Sequence, residues 1–151
     1  MTNRITDISL RQAAIVAGVG LLAMTILAPF AEFFVRQSLV VPGDAVSTAK
    51  NIIANESQFR LAVISYLIVA VLDVVVAWAL YVFLKPVNQS LSLLTAWLRV
   101  VYAAVLAVAL INLMVVLQLL SGVGYLAVFE TPQLYAQAML FLEAFSQGWN
   151  I

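Results

Sequence analysis

LAVISYLIVAVLDVVVAWALYVFLKPVNQSLSLLTAWLRVVYAAVLAVALINLMVVLQLL, residues 61–120, decides the fold. Two apolar runs, 61–84 and 91–120, flank the turn Lys85-Pro86-Val87-Asn88-Gln89-Ser90, and each run carries one charge, Asp73 in the first and Arg99 in the second. A helix of about 20 apolar residues crosses the hydrocarbon core of a bilayer, so both runs read as spans. Pro86 stops the first and Ser90 is placed to cap the second, which makes the pair an antiparallel hairpin. A charge near the bilayer centre costs about 2.5–3.5 kcal/mol on insertion scales, so Asp73 and Arg99 each need a partner or a function. At 1.5 Å per residue Asp73 lies about 18 Å before Lys85 and Arg99 about 14 Å beyond Ser90, a mismatch that an Arg side chain bridges. Tyr66, Ala70, Ala77 and Leu80 share the helical face of Asp73, and Ser92, Thr95, Ala96, Tyr102, Ala103 and Ala107 share that of Arg99. Small residues on both faces permit close approach, and the two charges are predicted to pair across the hairpin. Asn112 and Gln118 lie on other faces and are predicted to hydrogen-bond neighbouring helices.

Composition agrees with a chain that lives in lipid. Of the 151 residues 65% are hydrophobic and 9% charged, and the mean hydropathy is +1.09, far from the roughly 25% charged content of soluble domains. Seven basic and seven acidic residues leave no net charge, which argues against a nucleic-acid partner. Cysteine and histidine are both absent, which removes disulfides, thiol nucleophiles, thiolate or imidazole metal sites and histidine general bases.

Working outward, residues 13–34 form a first span behind a polar start that holds Arg4, Asp7 and Arg11. Its apolar core exceeds the roughly 7–15 residues of a cleavable leader, so it reads as a retained anchor. Ala14, Ala17, Gly18 and Gly20 offer a small-residue patch for another helix. Pro29 removes the hydrogen bond to the Thr25 carbonyl and is predicted to kink or fray the second half. Glu32 and Arg36, four residues apart, are expected to pair near the far interface, because Glu32 lies about 30 Å along the helix from Ala13. The alternative is that they form part of an internal site. Between the first two spans, Val41-Pro42-Gly43-Asp44 is a turn with Asp44 as a helix cap, and residues 45–59 read as an amphipathic helix on the membrane surface or across the end of the bundle.

Beyond the hairpin, Ser121, Gly122 and Gly124 break the run and Thr131-Pro132 opens a fourth helix over 133–151. Gln137, Glu143 and Gln147 interrupt it, so it is either an amphipathic segment packed on the bundle or a span that continues outside this sequence. Glu143 joins the candidate polar positions. Basic residues balance, with Arg4, Arg11 and Lys85 on one side and Arg36, Lys50 and Arg60 on the other. The 121–131 loop has no Lys or Arg, which places it outside and the N-terminus in the cytoplasm. The fold class is therefore an all-α integral membrane bundle in one domain, 1–151, with three firm transmembrane helices, a fourth helix whose crossing stays open and an amphipathic loop helix.

The blocks Phe30-Ala-Glu-Phe-Phe-Val-Arg36, Val40-Val-Pro-Gly-Asp44, Leu72-Asp-Val-Val-Val-Ala-Trp-Ala-Leu-Tyr81, Leu84-Lys-Pro-Val-Asn88 and Ala96-Trp-Leu-Arg-Val-Val-Tyr-Ala-Ala104 carry a resemblance. The chain resembles a bacterial integral-membrane family described only as a domain of unknown function, family 4386. The resemblance runs from the first span to Trp149 and implies a multi-pass protein of the bacterial cytoplasmic membrane. It implies no activity, substrate or cofactor. Members similar to this chain continue into further apolar spans after a segment like Gly148-Trp149-Asn150, so the resemblance implies a truncated or naturally short chain.

No phosphate-cradling glycine loop, zinc motif or nucleophile elbow occurs, and a single Asp within the spans does not provide the two facing aspartates of an intramembrane aspartyl protease. The preferred reading is a non-catalytic membrane protein, not an enzyme, in which Asp73 and Arg99 fix helix packing. A proton-coupled or small-solute transporter using the same two residues is the first alternative and a membrane-embedded enzyme the second. No cofactor or metal is implied. The expected partners are the lipid bilayer and either another membrane helix or a second copy of the chain. Asp73, Arg99, Glu32, Arg36 and Glu143 are the candidate intramembrane polar site.

Overall fold

In a computed structural model, residues 8–149 are described, and every regular element among them is helical. Arg4, Asp7 and Asn150 lie outside the described residues. Five helices follow in order: α1 Leu10–Leu39, α2 Ala45–Ala54, α3 Glu56–Leu84, α4 Gln89–Leu120 and α5 Thr131–Trp149, with a short 3-10 turn at Gly124–Val128 before the last. Helices α1, α3 and α4 are long and apolar enough to cross a membrane, and these are the three expected crossings. Large side chains stand bare on their outer faces, among them Leu22 (67% exposed), Ile26 (70%) and Val108 (65%). Apolar exposure on that scale fits contact with lipid tails.

Helix α1 begins with a capping box: the Gln12 N–H donates to Ser9 Oγ at 3.2 Å and the Ser9 N–H to Gln12 Oε1 at 3.0 Å. The proline is absorbed without a break. Residues Phe30–Arg36 form a π-helical segment after Pro29, and the Gln37 N–H donates to the Glu32 carbonyl five residues back. The predicted kink is thus a change of helical register, which rotates the residues beyond it relative to the first half of α1. Helix α1 lies on α3, α3 on α4 and α4 on α5. At Gly20 the two helices leave no room for a side chain, since a Cβ there would stand 2.5 Å from Val76 Cγ2. The small face that packs is Ala13, Ala17 and Gly20, whereas Gly18 is exposed with nothing near it, which corrects the predicted patch.

The loop helix is shorter than expected. Helix α2 ends at Ala54, and Glu56 already belongs to α3, which runs without interruption into the span. Helix α2 packs against α5 and buries Thr48, Ala49 and Ile52, so it closes one end of the bundle. The Thr48 hydroxyl donates to the Val41 carbonyl and accepts from the Val41 N–H, and Asn51 Nδ2 donates to the Leu39 carbonyl at 3.1 Å. Between α3 and α4 the cap is Asn88, whose side chain accepts from the Leu91 N–H at 3.1 Å, and not Ser90, which lies inside the helix. Ser92 instead ties the hairpin together by donating to the Tyr81 carbonyl at 2.9 Å. Helix α5 turns back along α4 and brings Gly148 against Ala109 and Trp149 against Tyr102. The two deep amides stay local: Asn112 donates to the Ala109 carbonyl of its own helix and Gln118 to the Tyr125 hydroxyl just beyond it.

Candidate functional site

Asp73 projects from the middle of α3 and is 2% exposed. Arg99 on α4 meets it across the hairpin, with Nη2 donating to Asp73 Oδ1. The pairing follows from the small residues around both charges, since Ala70, Ala77 and Ala103 are buried on the faces that touch. Ala107 faces outward and takes no part, which trims the predicted Arg99 face. Arg99 is incompletely used. Its Nε is buried without a hydrogen-bond partner among the described residues, while 28% of the side chain remains exposed. A groove of about 360 Å³ opens beside the pair, lined by Met24, Asp73, Thr95, Leu98, Arg99 and Tyr102.

A second polar centre lies where the π segment of α1 meets α3 and α5. Arg36 Nε donates to Glu32 Oε2 at 2.8 Å and Nη2 to Oε1, a bidentate pair. The Tyr66 hydroxyl from α3 also donates to Glu32 Oε2, and Gln37 Nε2 to Oε1 at 3.1 Å. Arg36 Nη1 donates to Ser146 Oγ of α5 at 2.8 Å, and its guanidinium carbon lies 5.7 Å from the Phe145 ring centroid. The Glu32 and Arg36 side chains are 13% and 14% exposed, so the pair sits inside the bundle as a junction of three helices. The expected pairing of Glu32 with Arg36 is present, and it faces into the bundle. Tyr66 and Ser146 are the partners that the sequence reading missed, and nothing in a tyrosine of an apolar run, or in a serine 110 residues from Arg36, marks them in advance.

Aromatic rings connect the two centres. Trp149 sits 5.5 Å from Tyr66 and 6.3 Å from Tyr102, and Phe145 is 5.3 Å from Tyr66, all between ring centroids. Tyr102 lines the Asp73–Arg99 groove, so a continuous wall runs from one ion pair to the other. Glu143 is not part of it. That residue faces outward from α5, away from Ala138, Leu142 and Phe145, which are the buried residues of the helix. Among the described residues no cluster of three acidic side chains is close enough to hold a metal ion.

Residues 16–151 match the family model described as domain of unknown function DUF4386. The chain belongs to that family. A similar protein, an uncharacterized protein of Archaeoglobus fulgidus, is 41% identical over 49 residues, which is 32% of this chain and 30% of the relative. The chain thus aligns with under a third of the length of that relative. No solved structure matches. Together with the three apolar helices, family membership makes this a multi-pass membrane protein of the DUF4386 family.

Proposed function

We propose that this DUF4386 protein is non-catalytic and that its two internal ion pairs, Asp73–Arg99 and Glu32–Arg36, fix the packing of its membrane helices. The observation that carries the reading is the burial of the Asp73 carboxylate, 2% exposed, against a guanidinium from the neighbouring helix. Removing one member of such a pair strands a charge at a cost of about 3–5 kcal/mol, whereas replacing both with apolar or neutral groups is close to neutral. Each carboxylate is met by a guanidinium, and the Glu32–Arg36 pair also takes in Tyr66 and Ser146 from two other helices, which supports a structural role over catalysis. The resemblance to a bacterial membrane family supports placing the chain in the bacterial cytoplasmic membrane, with any activity residing in a partner helix or a second copy.

Folded yield in mild detergent tests this directly for Asp73→Asn, Arg99→Gln, the double variant and the charge swap. Each single change is expected to lose most of the folded protein, and the double variant to recover it. Strictly additive losses would show that the residues do not interact. A second reading, a proton-coupled or small-solute carrier, draws support from the groove beside Asp73 and Arg99. Proton flux in vesicles separates the two, since a packing pair predicts none in any variant.

A further inference from the structure

Helix length fixes how deep the Asp73–Arg99 pair lies. The 32 residues of α4 are about 48 Å long, against a hydrocarbon core of about 30 Å, so about 9 Å projects at each end when the helix is centred. Arg99 stands ten residues into α4, about 15 Å from its start and hence about 6 Å inside the hydrocarbon boundary. Trp78 and Trp97 place the same boundary independently. They are 48% and 61% exposed, and tryptophan concentrates where hydrocarbon meets headgroups. Trp97 precedes Arg99 by two residues, and Trp78 lies between Asp73 and the turn. The guanidinium reaches inward to the deeper Asp73, so a phosphate meets it by sinking into the groove with local thinning of the bilayer, a short path this close to the boundary.

At that depth the groove presents a cation. Asp73 forms its floor and is nearly inaccessible behind Arg99, whose side chain is 28% exposed and whose Nε lacks an acceptor among the described residues. The Thr95 and Tyr102 side chains line the groove about one turn to either side of Arg99, and Met24 and Leu98 supply apolar walls. The accessible part of Arg99, and not its buried Nε, lines the groove, and a phosphate oxygen matches guanidinium geometry better than other bilayer groups do.

We propose that this groove binds the phosphate of an anionic phospholipid, drawn sideways from the leaflet on the Lys85–Asn88 side. Arg99 is its charge partner, the Thr95 and Tyr102 hydroxyls are further donors, and Met24 and Leu98 lie along the acyl chain. The Asp73 carboxylate orients the guanidinium and at the same time opposes the incoming anion. The assignment rests on the geometry of the pair and goes beyond its packing role, because a pair that holds helices together has no need of a lipid.

The test uses the full chain in nanodiscs of phosphatidylcholine containing graded phosphatidylglycerol, with retained lipids counted by native mass spectrometry. Wild type is expected to retain phosphatidylglycerol about fivefold over phosphatidylcholine, the worth of one basic residue at an anionic surface. Leu98→Trp fills the groove without touching the ion pair and is expected to abolish the preference. Asp73→Asn removes the opposing carboxylate and, in the fraction that folds, is expected to raise it. The double variant Asp73→Asn with Arg99→Gln, which strands no charge where Arg99→Gln alone fails to fold, is expected to lose it. Equal retention of the two lipids by wild type overturns the proposal, as does a preference that survives both Leu98→Trp and the double variant. Displacement of phosphatidylglycerol by millimolar inorganic phosphate would make the ligand a free anion and also overturn it. Folded yield reports the packing role separately: normal coupling in yield with no lipid preference sinks this inference alone, and lipid preference with additive yield losses sinks only the packing role.

Discussion

Glu32 gathers donors from Arg36, Gln37 and Tyr66, which is nearly all that a carboxylate accepts, and the Tyr66 hydroxyl is the one of them that crosses between helices. Tyr66→Phe keeps the ring packing on Phe145 and Trp149 and deletes that single bond. A hydrogen bond to a buried charge is worth about 1.5–3 kcal/mol, so the variant is expected to unfold earlier by that amount in a denaturant titration in detergent. No loss of stability would mean that Glu32 is satisfied without α3. Gly20 sets a steric limit in the same way. Gly20→Ala drives a methyl into Val76 and is expected to cost about 1–3 kcal/mol, with Val76→Ala restoring most of it. If the second change fails to rescue the first, the α1–α3 approach is looser than described. At this scale the Asp73–Arg99 pair was legible, because each is the sole charge of its run and their depths from one turn differ by no more than an Arg side chain spans. The inward position of Glu32 was not, since counting along a regular α-helix carries no sign of the register change after Pro29.

Helix α2 is held by its first turn and by the strap before it. Asp44 accepts from the Ser47 N–H at 2.9 Å and from the Ser47 hydroxyl at 2.6 Å, and Gly43 takes the positive φ of 77° that the turn requires. These two bonds, the hydroxyl's first, hold the Asp44 carboxyl below its ordinary range. A carboxyl lowered in the folded state stabilises above its unfolded value and loses that contribution as pH falls through the folded value. Hydrogen exchange at the Ser47 amide is therefore expected to accelerate, relative to the middle of α2, as pH drops through the acidic range below the usual Asp value. Asp44→Asn keeps the cap and should remove the dependence. A pH profile unchanged by that substitution would assign the effect to another group. The cap was readable from Val41-Pro42-Gly43-Asp44. The end of α2 was not, because Asn55 breaks the helix within a pattern whose apolar spacing continues to Phe59.

Across the whole molecule, three crossings impose a parity that does not depend on orientation. Ser9, just before α1, and Gln89, at the start of α4, belong on one side of the membrane, and Ser47 in α2 and Thr131 at the start of α5 on the other. Packing of α2 on α5 agrees, because a contact between them requires their elements to meet at the same end of the bundle. The basic residues leave orientation nearly balanced, and the absence of Lys and Arg from 121–131 tips the N-terminus towards the cytoplasm. The chain has no cysteine, so single cysteines at these four positions report cleanly when intact cells meet a membrane-impermeant thiol reagent. Ser47→Cys and Thr131→Cys are expected to react, and Ser9→Cys and Gln89→Cys to react after permeabilisation alone. Reaction at Ser9 and Gln89 without Ser47 and Thr131 would invert the orientation and move the Trp78–Trp97 belt, with the Arg99 groove, to the outer leaflet. Reaction at Ser47 and Gln89 together would break the parity and with it the count of three crossings on which the depth of both ion pairs depends.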